Sequence, residues 1–461
     1  MGSVASPVVQ AALNLRPSLS ESTGVFTDPS SDEFKTLMQR WSDLDVKEPA
    51  AILTPSSEED IVQIVQHAVN HSIPFVSKAG GHSPWSTIDS SGWIVDLTRY
   101  TGIKIDIQAQ TATVQAGVIT KPLNQAVHKA GFFIQSSGAA SVGHIPFVLG
   151  GGQSWMTDQL VSAKVVTASK GLVVASETEN ADLFWALKGA GQFFGLVTEV
   201  TMRVFPIEQD ILSWNCIFLP HQIKEVGQAI EKCSSEDNVN SPGVVIIIQP
   251  PGQTKPIIMV STKHFGTEEE ALKAMQPLLD AKPVQQIKET VSFANVTDST
   301  DALNRSGGIK RQISCGMRSF SAEKLEESLT QWNQLVEKHP GAAASFFMFT
   351  WVSTEAMSKV PQESTCWSHR DCGIWRRQLT KKSMSFVSGV DEESATAASE
   401  SAESFLAMCQ KDQSEAERSF FPNHTRAHKL EHRYRDAEAR KRLRELKSQW
   451  DPEGFFTRQF I

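Results

Sequence analysis

The sequence predicts an α+β fold, on three observations. Up to about residue 208, short apolar strands alternate with amphipathic helices and glycine-rich turns. After about 210 the pattern changes to long helices and strongly apolar strands, two of which face each other across a turn as an antiparallel hairpin. The 461 residues exceed one typical core, and 40% hydrophobic with 21% charged residues are ordinary globular values, so two or three compact units are expected.

Residues 1–45, rich in Ser, Pro and Ala, read as an irregular, loosely held leader. The first strong element is a helix over about 57–70: Ser56 or Ser57 can cap it, Glu58, Glu59 and Asp60 suit its positive end, and Ile61, Ile64, Val65, Ala68 and Val69 form one apolar stripe. Pro74-Phe75-Val76 and Trp93 to Leu97 read as short buried strands on either side of a glycine turn. Paired strands at 102–107 and 111–117, a helix at 122–129 and a hairpin at 162–176 follow, and Asn180 is placed to cap a helix over 182–188. A strand through Leu196, Thr198, Val200, Met202 and Val204 ends this half at Pro206. In the second half, 244–248 and 256–260 form the hairpin, helices are expected at 268–281, 322–338 and 392–408, and Phe346 to Trp351 is a strand, giving a sheet covered on one side.

Charge excludes some functions. A formal net charge of −8 argues against general nucleic-acid binding, and the one basic stretch, 426–447, interleaves Glu431, Asp436, Glu438 and Glu445, as a solvated helix face would. Six cysteines without metal-ligand spacing read as reduced thiols. The amino terminus lacks a basic and apolar signal pattern and no stretch approaches about 20 apolar residues, so a cytoplasmic protein without membrane association is expected. No feature calls for a protein partner.

Three glycine clusters stand out: Gly80-Gly81, Gly150-Gly151-Gly152, and Gly189-Ala190-Gly191 with Gly195. The last is not a Rossmann fingerprint, because its third glycine falls one place late and precedes a strand rather than opening a helix. In Lys78-Ala79-Gly80-Gly81-His82-Ser83 the glycines let backbone N–H groups approach a diphosphate, and His82 then stands where an imidazole can touch a cofactor. Taken alone, the same residues also suit a tight turn followed by a surface histidine.

These motifs carry a resemblance. Ala50 to Pro55 with the helix that follows, Lys78 to Ser83, Val142-Gly143 with Leu149 to Gly152, Asn180 to Gly189 through Gly195-Leu196-Val197-Thr198, and Trp450 to Phe456 resemble, in order, the motifs of berberine bridge enzyme-like oxidases in the vanillyl-alcohol oxidase and p-cresol methylhydroxylase (PCMH-type) superfamily. The resemblance implies a PCMH-type FAD-binding domain over 46–208, completed by a return of 416–461, and a second α+β substrate domain over 209–415 whose antiparallel sheet covers the flavin. It implies FAD held by an 8α-histidyl bond through His82, with the diphosphate on the backbone of 78–83. Gly143, Gly150, Gly151, Gly152, Gly195, Val197 and Asn423 are the further cofactor-binding positions it marks. Where many relatives have a second flavin-linking cysteine, this chain has Ser137 to Ser141, so a single bond is implied. Two departures are visible: the stretch after Gly152 is about seven residues shorter than usual, and Pro146 stands where glycine is common, removing an N–H near the flavin.

The implied activity is that of an FAD-linked oxidase: hydride removal from a small organic substrate, as in specialised-metabolite biosynthesis, with O2 reoxidising the flavin. A flavin-bound but non-redox cyclase or isomerase is the alternative, and a non-catalytic product a third. Relatives often use Tyr or Glu from the substrate domain as base, but Tyr100 and Tyr434 both lie outside it. By elimination His369 and Glu355 are the candidates, although a structural role is the better single reading for each.

Overall fold

The computed structural model describes residues 6–152, 155–234, 240–353, 355–367, 379–421, 423–424 and 430–456. The first half is built on two sheets. In the smaller, strands order as Gly24–Phe26, Ala51–Thr54, Trp93–Asp96 and Phe75–Lys78, the last three parallel. All four residues of Ala51–Thr54 and of Trp93–Asp96 are buried, as a sheet covered on both faces demands. The helix Glu58–Asn70 starts where expected: the Ser57 side chain accepts the Asp60 N–H at 3.1 Å, and Ile61, Ile64, Val65 and Ala68 are buried along one side. The second sheet is antiparallel and five-stranded, in the order Ile103–Asp106, Thr111–Gln115, Leu196–Arg203, Leu160–Thr167, Gly171–Ser176.

Three local expectations change. The first 45 residues are not a loose leader over their described part: Pro7–Leu15 is a helix, Gly24–Phe26 pairs with Ala51–Thr54, and Asp32–Met38 is a second helix. Ala12 and Leu15 are buried in the same core as Trp93, which explains the order. Asn180 does not cap the helix Ala181–Ala190 with its side chain; it sits at φ 46° and donates to the Val174 carbonyl at 2.6 Å. Pro146 lies in the first turn of the helix His144–Leu149, where an N–H has no helical acceptor, so the proline is tolerated there.

The middle of the chain forms a seven-stranded antiparallel sheet in the order Gln285–Val291, Ile211–Phe218, Ile257–His264, Gly243–Ile248, Phe346–Ser353, Leu379–Gly389, Ile309–Gly316. Alternation decides its two faces. Val245, Ile247, Ile258, Val260, Phe347, Phe349, Trp351 and Val387 pack against the helices Ile223–Cys233, Glu268–Asp280, Ala322–Lys338 and Glu392–Cys409. Val244, Ile246, Ile248, Met259, Phe346, Met348 and Phe386 form the opposite, helix-free face, with Trp41 against it.

The chain then returns to the first half. Tyr434, Leu443, Leu446, Trp450 and Phe456 belong to the first core, and the Tyr434 hydroxyl donates to the Gly189 carbonyl at 3.0 Å. Lys447 is buried, its ammonium 2.6 Å from Asp451 and bonded to the Phe193 and Phe456 carbonyls. Arg433 is also buried, over the rings of Trp85 and Phe193. The basic stretch is therefore not uniformly a solvated face: two of its cations are core groups.

Candidate functional site

The strand Phe75–Lys78 delivers the glycine loop. Lys78 itself turns inward, its ammonium 2.9 Å from Asp96 and bonded to the Leu37 carbonyl, so only its backbone faces the loop. Beyond buried Ala79, Gly80 and Gly81 make the turn, Gly81 at φ 67°. A Cβ on Gly80 would lie 2.0 Å from the Ser141 carbonyl oxygen, and one on Gly143 would lie 2.9 Å from the Ala79 Cβ. Two loops, 78–83 and 139–144, thus pack backbone to backbone because neither glycine carries a side chain. Among the described residues, the N–H groups of Gly80, Gly81 and His82 donate to no protein acceptor. Such a run of unspent donors at a positive-φ turn suits an anion such as a diphosphate.

His82 leaves this loop toward the seven-stranded sheet. Its Nε2 is 2.8 Å from Ser141 Oγ, and its ring stacks on Trp41 at 5.2 Å with 18° between planes. Desolvation, reinforced by the charge of Lys310, pushes its pKa down to about 4, so the imidazole is neutral near pH 7. Trp41 meets Phe386 edge-on at 5.7 Å, Phe386 stacks on Phe346 at 4.7 Å, and the Lys310 ammonium sits 4.9 Å above the Trp41 ring. The segment carrying Trp41 is tied to both halves: Trp41 N–H donates to the Gly81 carbonyl at 3.2 Å, Arg40 donates to the Ser83 carbonyl at 2.8 Å, and Ser42 Oγ donates to the Lys310 carbonyl at 2.6 Å.

A second group forms around the other glycines. A Cβ on Gly150 would lie 2.6 Å from the Asn423 amide, and one on Gly151, at φ 104°, would lie 2.5 Å from the Trp367 indole. Asn423 donates to the Phe147 carbonyl at 2.9 Å, while its Oδ1 is buried without a hydrogen-bond partner among the described residues. Gly152, at φ 64°, packs against Met156. Gly195 and Val197 are both buried: Gly195 packs against Val165 and the Val166 carbonyl, and Val197 lies within the first core. Glu355 opens the short helix Glu355–Ser358, and His369 lies outside the described residues. Near Glu355, a cavity of about 700 Å³ is lined by Trp155, Asp158, Lys188, Arg203, Ser353 and Lys359, beside the shortened stretch after Gly152.

Sequence reasoning missed Trp41, Lys310 and Phe386. None stands in a motif: Trp41 stacks on His82 from the amino-terminal segment, and Lys310 and Phe386 come to Trp41 from the seven-stranded sheet.

A family described as "FAD binding domain" matches residues 49–176, which contain both glycine loops and His82. Among curated proteins, the FAD-linked oxidoreductase hasG of Aspergillus fumigatus is 30% identical over 343 residues, covering 71% of this chain and 72% of that protein. The chain belongs to the FAD-linked oxidoreductases. This FAD-linked oxidoreductase shares its fold, at a TM-score of 0.82 and 17% identity over 98% of both chains, with a Physcomitrella patens protein described as BBE-like 1. A glucooligosaccharide oxidase from Acremonium strictum, described as carrying a 6-S-cysteinyl, 8α-N1-histidyl FAD, aligns at a TM-score of 0.78 and 21% identity, covering 97% of this chain and 98% of that one. The PCMH-type fold expected from the motif series is thus the observed one. Among the described residues no helix is long and apolar enough to cross a membrane, and no group of His, Cys, Asp and Glu is arranged to hold a metal.

Proposed function

We propose that this FAD-linked oxidoreductase binds FAD through residues 78–83 and the Gly143 and Gly150 to Gly152 loops, carries it on His82, and oxidises a small apolar organic molecule. The observation that carries the reading is the neutral His82 ring beside three unspent backbone donors, with Trp41 packed between that ring and the helix-free sheet face. The backbone N–H groups of Gly80, Gly81 and His82 would hold the diphosphate, and the Asn423 Oδ1, buried and unpartnered, would accept from a ring N–H. Bound FAD supplies the redox chemistry by taking a hydride from a substrate C–H and passing the electrons to O2. The protein's share is orientation and exclusion of water. Ile246, Met259, Phe346, Met348 and Phe386 offer a flat apolar ceiling, which favours an aromatic or alkyl substrate over a sugar. His369 and Glu355 remain the proposed proton acceptors, and Gly195 and Val197 act by shaping the strand behind the site. We assign 46–208 with 416–461 to the FAD unit and 209–415 to the substrate unit, and no protein partner is required by this reading.

The test is acid precipitation of the purified protein. Flavin absorbance should stay with the pellet and should move to the supernatant or vanish in His82→Ala. A colourless native protein would end the proposal. A non-redox cyclase or isomerase is the second reading, since both tyrosines are buried in the first core, away from the sheet face. Anaerobic substrate that never bleaches bound flavin, yet is converted, would favour it.

A further inference from the structure

We propose that Ser141 is a positioning residue for flavin attachment: its hydroxyl engages Nε2 of His82, holds the ring, and leaves Nδ1 as the nitrogen that bonds the flavin. This rests on the reading of His82 as the attachment residue. Ser141 Oγ stands 2.8 Å from Nε2, while Nδ1 makes no hydrogen bond among the described residues. Nε2 is therefore occupied and Nδ1 is open. A neutral imidazole has one N–H and one lone pair, and the nitrogen that attacks carbon needs the lone pair. The hydroxyl can accept from Nε2–H, and in that tautomer the lone pair falls on Nδ1, the nitrogen that the contact leaves open.

The balance of the step gives the hydroxyl a second use. Nδ1 bonds to the C8α methyl carbon of FAD, that methyl loses a proton, and Nε2 loses the other. The two electrons enter the flavin ring and leave to O2, which becomes hydrogen peroxide. Once Nδ1 is alkylated and Nε2 has lost its proton, Nε2 is an acceptor, and the same hydroxyl turns from acceptor to donor. A hydroxyl serves both states; alanine serves neither and cysteine only weakly.

The placement of Ser141 is not accidental to one rotamer. Its carbonyl oxygen occupies the space that a Cβ on Gly80 would fill, 2.0 Å away, so the backbone of 141 is pressed against the loop that carries His82. Trp41, stacked on the imidazole, limits rotation of the ring away from the hydroxyl.

Ser141→Ala and Ser141→Thr are the variants to compare with wild type, each supplied with FAD during refolding or expression. Total flavin is measured after protease digestion, the covalent share by acid precipitation, and the linked nitrogen by peptide NMR or fragmentation. Ser141→Ala is expected to keep total FAD but lower the covalent share or its rate of formation at least about tenfold, and Ser141→Thr to restore it. Unchanged attachment in Ser141→Ala, or attachment through Nε2 in wild type, overturns the role of Ser141. A wild type that retains FAD yet releases all of it in acid overturns the covalent reading itself, and this inference with it. A merely structural role for Ser141 would lower total FAD in step with the covalent share.

Discussion

His144 shows how one buried group sets a pH limit. Its side chain is buried, Nε2 contacts the Met202 sulfur at 3.0 Å, and burial alone pushes its pKa down to about 3. The unfolded chain takes up this proton near pH 6.5 and the folded one only near 3. Stability from His144 is thus complete above pH 6.5 and is lost as the pH falls toward 3, at about 1.4 kcal/mol per pH unit. Urea midpoints measured from pH 7 to 4 should decline, and His144→Leu should flatten the decline; an equal slope in the variant would contradict this. Gly80 carries a second residue-scale prediction. Gly80→Ala places a Cβ against the Ser141 carbonyl, so the loops must part, and FAD retention should fall several-fold while the far-UV circular dichroism stays unchanged.

At the scale of elements, the last helix, Ala437–Trp450, is locked by one internal ion pair. Lys447 spans Asp451 and the carbonyls of Phe193 and Phe456, while Asp451 accepts the N–H groups of Phe455 at 2.8 Å and Phe456 at 2.7 Å. Lys447→Met leaves a buried carboxylate without its cation and should cost roughly 3–5 kcal/mol, read as a fall in the unfolding midpoint. Legibility differed between elements for physical reasons. Helices with a cap and an apolar stripe, such as Glu58–Asn70 and Ala322–Lys338, were readable because both signals are local. The strand Gln285–Val291 was not: six of its seven residues are exposed, so no apolar pattern marks it at an edge. Ile309–Gly316 and Leu379–Gly389 were also missed, since Lys, Gln and Ser interrupt their apolar positions. Of the site, the glycine loops and His82 were readable from sequence order, whereas the Trp41, Lys310 and Phe386 surround depends on contacts across the fold.

For the whole molecule, the useful property is the unlike faces of the seven-stranded sheet. The helix-covered face is a core; the other presents apolar side chains to Trp41, which stacks on His82. Met348→Gln, a partly buried position of that face, should therefore leave flavin content unchanged but raise KM for a benzylic or allylic alcohol at least about tenfold. Activity on oligosaccharides equal to that on apolar alcohols would contradict the assigned substrate class.

The return of residues 430–456 to the first core also sets an order in time. The Tyr434, Leu443 and Trp450 positions are made after the seven-stranded unit, yet they complete a core most of whose other members are made before it. During synthesis the first half must therefore wait, with its groove for the final helix uncovered, while the entire seven-stranded unit is translated. A message that stops near residue 429 would encode every glycine loop and His82 and still yield a first half with an open flank, prone to capture by chaperones or proteases before any flavin could be retained.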